Sequence, residues 1–377
     1  MADNFQGETS NRYRLLMTAD TVGGVWQYAI DLVSELSRRG FDILLATMGP
    51  RPSDAQRREA KEIEKLTLVE SDWALEWMPS PWTDVDAAGD WLLTLQDEFQ
   101  PDAIHLNGYV HAALPWGRPV VTVAHSCVCS WWRAVYGESA GPEWELYKSR
   151  VAAGLRASTV IAAPSRSMAR SLEREYGIPH DSLEVVHNFS RVPMHTNLQK
   201  NPVILAAGRF WDPAKNLRIL DEIANRLPWR IRVAGSGSHI AGHSVDSRSV
   251  TLLGLVPHAE LMQEMDHAAI FVHPALYEPF GLAVLEAARA QCCLVLSDIP
   301  SLRELWDDAA VFIDPRDTQA WAAELNRLAN HPEIWTAFGQ KAQVRSQKYR
   351  PEVTVAEYLG LYQRMSSAAG DQQETAA

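Results

Sequence analysis

The 377-residue chain contains no run of about 18 apolar residues, the length that spans a bilayer, so no stretch reads as a transmembrane helix. It also lacks a basic excess. Lys and Arg number 35 against 47 Asp and Glu, a formal net charge of -12, which excludes the broad cationic face that displaces counterions from a nucleic acid. Cysteine is scarce: Cys127 and Cys129 form one C-x-C, and Cys292 and Cys293 are adjacent. Neither arrangement has zinc-site spacing, and all four read as reduced, buried thiols. The opening "MADNFQGETSNRYR" is polar, without a basic segment followed by an apolar one. It does not read as a secretory signal, and the expected location is the cytoplasm.

What is present is the composition of a globular protein, 46% apolar and 22% charged. The length exceeds that at which one hydrophobic core keeps growing, so two domains are expected. Tryptophan, at 14 residues, is the exception to an ordinary composition, and it clusters at Trp73, Trp77 and Trp82 and at the pair Trp131-Trp132. An indole face can stack on the C–H surface of a sugar or simply fill core space, and both readings stay open for Trp131 and Trp132.

Apolar periodicity alternates between strand and helix along the chain. "RYRLLMTAD" reads as a buried strand, "TVGGVWQYAIDLVSELSRRG" as a helix closed by Gly40, and "FDILLAT" as the next strand. Such a strand-helix-strand unit implies parallel pairing. Helices are predicted over Asp54 to Leu66 and Val85 to Phe99, strands at "DAIHLN" and "PVVTVAH", then a Trp-rich helical tract, the strand "STVIAAP", the helix "SRSMARSLEREYG" and the strand "LEVVHN". The aperiodic "NFSRVPMHTNLQKNP" reads as a linker. A second series follows, with strands at "PVILAAG", "WRIRVAG", "SVTLLG", "AIFVHP", "CCLVLS" and "AAVFID". Its helices are expected at Asn216 to Arg226, Ala259 to Ala268 and Gly281 to Ala290. The fold class is therefore α/β, two doubly wound Rossmann-like domains facing a cleft, with ligand sites outside the carboxyl ends of the strands. The domains are expected at 12–190 and 200–347. A helix over 351–366 returns to the first domain, and a polar tail over 367–377 has nothing to bury.

The loops at strand ends carry the candidate chemistry. In "AAGRFWDPAKNL" a strand ends at Gly208, and Arg209 and Lys215 flank a turn before a helix starting near Asn216. Two cations beside exposed helical N–H groups make an anion site. In "LYEPFGLAVLEAARA" a loop bears Glu278, Gly281 opens a helix, and Glu286 lies within it. Glycine admits a phosphate to the backbone N–H groups, and carboxylates accept hydrogen bonds from ribose or hexose hydroxyls. Taken singly, a paired buried carboxylate would explain Glu286 and a solvated loop charge Glu278. "TADTVGGVW" places Gly23 and Gly24 between a strand end and a helix, and His125 stands at the carboxyl end of "VVTVAH". Two imitations are set aside. "RVAGSGSHIAG" has its third glycine too late for a dinucleotide fingerprint. The "DVD" of Asp84 to Asp86 opens a helix, where Thr83 or Asp84 reads as a cap rather than a metal ligand.

With these motifs in order, the chain resembles retaining glycosyltransferases of family 4. The resemblance runs from Arg12 to about Met365 and rests on "GGVWQYAIDLVSELSRRG", "GRFWDPAKN", "YEPFGLAVLE" with its Glu-x7-Glu spacing, and "LRELWDDAAVFIDPRD". It implies the GT-B architecture, a nucleotide-sugar donor bound mainly by the second domain and an acceptor bound mainly by the first. Carried over by position, Arg209 and Lys215 would hold the diphosphate. Glu278 would bind donor-sugar hydroxyls with help from the amides of Phe280, Gly281 and Leu282, and Glu286 would hold the ribose. The base would rest near Leu255 and Val256, with Gly208 at the strand end. Gly23 and Gly24 would approach the donor phosphate, His125 would contact the transferred sugar, and Asp20, Trp131 and Trp132 would face the acceptor. The family implies no metal and no cofactor beyond the co-substrate. The acceptor is a carbohydrate or a lipid-linked molecule, so peripheral contact with a membrane stays open, and no nucleic-acid partner is expected. The reaction implied is a same-face displacement in which a leaving phosphate oxygen takes the acceptor proton, driven by positioning and charge stabilisation. On that basis, loss of Lys215 is expected to lower turnover far more than stability. The alternatives are a nucleotide-sugar epimerase, a phosphorylase, or a non-catalytic donor-binding subunit.

Overall fold

The computed structural model of the chain describes residues 12–196, 198–209, 211–235 and 249–375. The first series comprises β1 (Arg14–Asp20), α1 (Gly24–Arg38), β2 (Asp42–Met48), α2 (Asp54–Lys61), β3 (Leu66–Glu70), α3 (Trp82–Phe99), β4 (Ala103–Leu106), β5 (Val120–Val123), α4 (Val128–Tyr136), α5 (Glu145–Ala157), β6 (Val160–Ala163), α6 (Arg166–Tyr176) and β7 (Glu184–Val185). The second comprises β8 (Asn201–Ala207), α7 (Arg218–Ile223), β9 (Arg230–Ala234), β10 (Thr251–Gly254), α8 (His258–His267), β11 (Ala268–His273), α9 (Leu282–Arg289), β12 (Cys293–Ser297), α10 (Pro300–Trp306), β13 (Val311–Ile313), α11 (Thr318–Ala329), α12 (Pro332–Ser346) and α13 (Pro351–Thr375).

One sheet has the order β3-β2-β1-β4-β5-β6-β7 and the other β10-β9-β8-β11-β12-β13. The ladders from β3 across to β6, and those of the second sheet, are parallel. The two doubly wound α/β sheets expected from the sequence are therefore present. In each, strand order reverses beside the first strand, at β1/β4 and at β8/β11, and such switch points are where doubly wound sheets hold ligands.

The second sheet shows why its strands read as unbroken apolar runs: every position of β11 and β12 is buried, because helices cover both faces of a parallel sheet. Successive side chains of β8 go to opposite faces. Ile204 and Ala206 join a cluster with Leu220 and Trp321, while Leu205 and Ala207 join another with Phe280, Leu285 and Trp306. Cys127, Cys129, Cys292 and Cys293 are all buried and free, as expected.

Contacts divide the chain into two compact units. The first takes residues up to Ala124, Leu146–Ala162 and Val355 onward; the second takes His125–Glu145 and Ala163–Thr354. Within the first unit, α13 packs against elements of the β1 sheet. Tyr358 and Tyr362 are almost wholly buried. The Tyr28 hydroxyl donates to the Tyr358 oxygen at 2.5 Å, and His105 Nδ1 lies 2.8 Å from the Tyr362 hydroxyl. Burial pushes the Tyr28 and Tyr362 hydroxyls well up, so both stay protonated. The expected return of the final helix to the first sheet is thus made by a buried tyrosine and histidine cluster.

Several local expectations are corrected. The helix predicted to reach Leu66 stops at Lys61, Lys65 takes a left-handed φ of 56°, and Leu66–Glu70 forms β3. Alternating "LTLVE" suits a strand, and a strand beside β2 satisfies the backbone groups that a longer helix would have buried differently. Helix α3 begins at Trp82 behind Pro81, with no side-chain cap. Asp84 instead accepts from the Ala74 amide at 3.1 Å, and Asp86 pairs with Arg150 at 2.5 Å. Helix α7 begins at Arg218 and runs six residues, because Asn216 adopts a left-handed φ of 52°. Helix α13 continues through Thr375, into the tail expected to be without structure. Most of "RVAGSGSHIAG", from residue 236 on, lies outside the described residues.

Tyr358→Ala is expected to lower unfolding free energy by about 3–5 kcal/mol through the cavity it leaves. Tyr358→Phe, which removes only the hydroxyl, should cost about 1–3 kcal/mol. Denaturant midpoints of the two variants measure both.

Candidate active site

The second unit assembles a polar site at the β8/β11 switch point. Beyond β8 the Gly208 amide donates to the Ala234 carbonyl at 2.9 Å. A Cβ on Gly235 would fall 1.8 Å from the Gly208 carbonyl oxygen, so the two strand ends approach as closely as they do only because that residue is glycine. After Arg209 the chain turns. The Asp212 amide donates to the Arg209 carbonyl at 3.1 Å, and the Lys215 amide to the Asp212 carbonyl at 2.9 Å. The Asn216 side-chain amide then donates to the carbonyls of Pro274 at 3.0 Å and Pro315 at 2.7 Å, and the Leu276 amide to the Ala214 carbonyl at 2.8 Å. The loop after β8 is thereby laced to the loop after β11.

That lacing brings Lys215 and Glu278 together. Lys215 Nζ lies 2.6 Å from Glu278 Oε2, and His273 Nε2, at the end of β11, lies 2.9 Å from the same oxygen. Burial opposes charge on Glu278, but the Lys215 ammonium and the His273 hydrogen bond outweigh it and hold the carboxyl well below the usual range. Burial likewise pushes His273 down, with Glu278 acting against it. An ionised carboxylate only accepts, so the His273 Nε2 carries the proton. Sequence reasoning placed His273 in a strand and assigned it no role. Its signal was its position, the last residue of a strand whose loop bears Glu278.

Arg209 and Lys215 are therefore not the unpaired cations that a helix N-terminus near Asn216 would have offered an anion. Arg209 pairs with Asp212 at 2.8 Å and stacks over Trp211, 5.2 Å from the ring centre. Burying Lys215 against Glu278 adds a stability cost to the loss of Lys215, which was expected to fall mainly on turnover.

Gly281 precedes α9 with a φ of 87°, and a Cβ there would stand 3.3 Å from Glu278 Cγ and 3.1 Å from Val284. The left-handed turn brings the backbone of Phe280, Gly281 and Leu282 beside Glu278. Eight residues after Glu278, Glu286 is buried in α9, and His258 Nε2 lies 2.8 Å from its Oε1. His258 opens α8 immediately after the loop of Leu255 and Val256, in which Leu255 is 81% exposed. Glu286 is thus a paired, buried carboxylate adjoining the loop expected to take a base.

Also in the second unit, burial pushes His125 down to about 3, so its imidazole is neutral across the physiological range. Trp131 donates its indole N–H to Asp212 Oδ1 at 3.1 Å. Trp131 and Trp132 are half-buried and pack with Tyr136, which is 53% exposed. The Trp132 indole N–H is buried without an acceptor among the described residues.

The remaining candidates lie in the first unit. Asp20 ends β1 and accepts from the Val22 amide at 2.8 Å. Gly23, at φ 88°, and Gly24 are exposed where α1 begins, with no side-chain cap and no acidic residue in the first turn. That helix end is open to an anion. Nothing in the sequence pattern singled out Glu76. Its carboxylate accepts from the Tyr109 and Val110 amides beyond β4 at 3.1–3.4 Å, and burial pushes it up to about 7.

Residues 22–190 match the family model described as Glycosyltransferase Family 4, and residues 201–331 that described as Glycosyl transferases group 1. Between them the matches take in most of the chain, and it belongs to the family-4 glycosyltransferases. Over 190 residues it is 25% identical to the O-antigen chain mannosyltransferase RfbU of Salmonella typhimurium, covering 47% of this chain and 53% of that protein. It thus spans about half the length of that relative. It is 22% identical to the D-inositol 3-phosphate glycosyltransferase of Corynebacterium glutamicum over 90% of this chain and 91% of the other. Among solved structures, sucrose-phosphate synthase from Thermosynechococcus elongatus matches with a TM-score of 0.77 at 16% identity, covering 95% of this chain and 100% of that one. Anabaena HepE, solved in complex with UDP and glucose, matches at 0.72 and 14% identity over 94% and 100%. The fold is that of GT-B glycosyltransferases.

Lys215→Met is expected to cost about 3–5 kcal/mol of stability at neutral pH, because it leaves Glu278 charged, buried and without its cation. Glu278 has a lowered folded-state pKa. Its pairing therefore contributes stability above the unfolded value of about 4.3, and that contribution is lost as pH falls through the folded value. The variant's deficit should shrink toward pH 4, where its carboxyl can protonate. Denaturant midpoints of both proteins between pH 4 and 8 test this, and a pH-independent deficit would contradict it.

Proposed function

We propose that the chain is a retaining hexosyltransferase that uses a nucleoside-diphosphate sugar and transfers the hexose to a hydroxyl of a glycan, a lipid-linked molecule or a small glycoside, without a metal. The observation that carries the reading is the Lys215–Glu278 pair. Among the described residues both hydrogen-bond partners of the carboxylate fall on Oε2, which leaves Oε1 to accept from sugar hydroxyls. Lys215 and Arg209 supply the positive charge that the leaving diphosphate needs, and the turn at Gly281 presents backbone amides beside the same sugar. Glu286, beyond that turn, accepts from the ribose, with the base along Leu255 and Val256.

Gly23 and Gly24 add an open helix end for the donor phosphate. A neutral His125 suits contact with the transferred sugar, because it brings no competing charge to an oxocarbenium-like centre. Asp20, Trp131 and Trp132 are assigned to the acceptor side. The proton of the attacking hydroxyl passes to the leaving phosphate oxygen, which keeps the new bond on the face from which the old one left. Two sets of relatives support the donor class: Anabaena HepE was solved with UDP and with UDP-glucose, and a Komagataeibacter xylinus relative bears the name GDP-mannose:cellobiosyl-diphosphopolyprenol alpha-mannosyltransferase. Lipid-linked acceptors require access to a membrane surface. Among the described residues no helix is long and apolar enough to cross one.

A thermal-shift panel of UDP, GDP, ADP and NAD is the test. One nucleoside diphosphate at a hundred times its dissociation constant should add about 2.7 kcal/mol of stability. The matching sugar donor should then release that diphosphate slowly to water, with the anomeric configuration kept when an acceptor is supplied. A shift with NAD alone overturns the reading.

A further inference from the structure

We propose that Asp212 is a positioning residue that holds the Arg209 guanidinium so that its Nε edge faces an anion, and that Trp131 is the anchor that fixes Asp212. The proposal rests on the reading of Arg209 as a cation for the donor diphosphate.

Asp212 is 4% exposed, and its carboxylate takes three donors from separate places. Oδ2 accepts from Arg209 Nη2 at 2.8 Å, and Oδ1 accepts from the Trp131 indole N–H at 3.1 Å and from the Ala214 amide at 3.0 Å. Its own backbone closes the same turn, bonded on one side to Arg209 and on the other to Lys215. A carboxylate fixed from three directions cannot turn, so neither can the Arg209 nitrogen it holds. Two further observations show what this leaves. The Trp211 ring lies under the guanidinium. Arg209 Nε is buried and has no acceptor among the described residues. Buried donors are almost always satisfied, so an orphaned guanidinium N–H beside a second cation marks a place for an acceptor brought by a ligand.

Trp131 explains why the clamp holds. An indole N–H is a donor only, and Asp212 is the acceptor that satisfies it. Helix α4 holds that indole in an aromatic cluster, with ring centres 6.1 Å from Trp132 and 5.8 Å from Tyr136. The polar tip of Trp131 is thus committed to the anion loop, and only its ring face is left for an acceptor sugar. Arg209 is held in place from α4, a helix 70 and more residues earlier in the chain.

A double-mutant cycle tests this, with the affinity for UDP and GDP read by calorimetry on the whole chain. Asp212→Asn keeps an oxygen for Trp131 and Ala214 but loses the charge that holds Arg209. It should weaken the nucleotide that binds by about tenfold in the wild-type background and by less than about twofold in Arg209→Ala. Trp131→Phe removes only the indole N–H and should act in the same direction, again only where Arg209 is present. It carries the test if Asp212→Asn does not fold. Equal losses with and without Arg209 overturn the positioning role while leaving the donor site standing. If Arg209→Ala leaves UDP and GDP binding unchanged, or neither nucleotide binds the wild type, the donor site itself is overturned and the proposal with it.

Discussion

The site depends on one oxygen atom. Glu278 Oε2 receives both the Lys215 ammonium and the His273 imidazole, and those three residues come from the two strand ends on either side of the β8/β11 switch. Burying a carboxylate and an ammonium is costly in isolation, and the cost is offset only when the geometry is close and the remaining polar groups are satisfied. The loops meet that condition. Asn216 reaches two prolyl carbonyls across the gap, Leu276 bonds to Ala214, and Ser301 bonds to the Glu278 carbonyl. The ion pair and the backbone lacing are therefore one construction, since either without the other leaves buried groups unpaired.

The same logic repeats outward from that centre. Arg209 is paired with Asp212, Asp212 with Trp131, and Glu286 with His258. Each charge assigned to a donor is already held by a protein partner. Preorganised charge of this kind does not have to be arranged during a reaction, and this is the form in which electrostatics contributes most to catalysis. It also means that the residues proposed to bind the donor stabilise the loops, so a variant at Lys215 tests both roles at once.

Much of this was legible beforehand. Gly281 and Glu278 could be placed in a turn because a strand-like run ended at "HP" and a helical run began at "GL". Arg209 and Lys215 could be placed beside a strand end for the same reason. The errors fell where local pattern competes with context. The helical composition of the charged tract from Asp54 extends the predicted helix to Leu66, and the pairing of Leu66–Glu70 with β2 decides otherwise. Asp84 reads as a helix cap because it opens a helical run, yet its carboxylate is used by the Ala74 amide of a neighbouring loop.

By itself the sequence determined the two alternating series, the strand ends at which polar residues gather, and the family to which the chain belongs. The series and the strand ends follow from periodicities of two and 3.6 residues and from glycines at turns, all local properties of the chain, and the family from its resemblance in ordered motifs. Which charge meets which depends on the folded arrangement. Lys215 and Glu278 are 63 residues apart, Trp131 and Asp212 81 apart, and His105 and Tyr362 257 apart. No local preference encodes such partners. They are chosen when the sheet order brings distant strand ends together and burial leaves each polar group the choice of a partner or an energetic penalty.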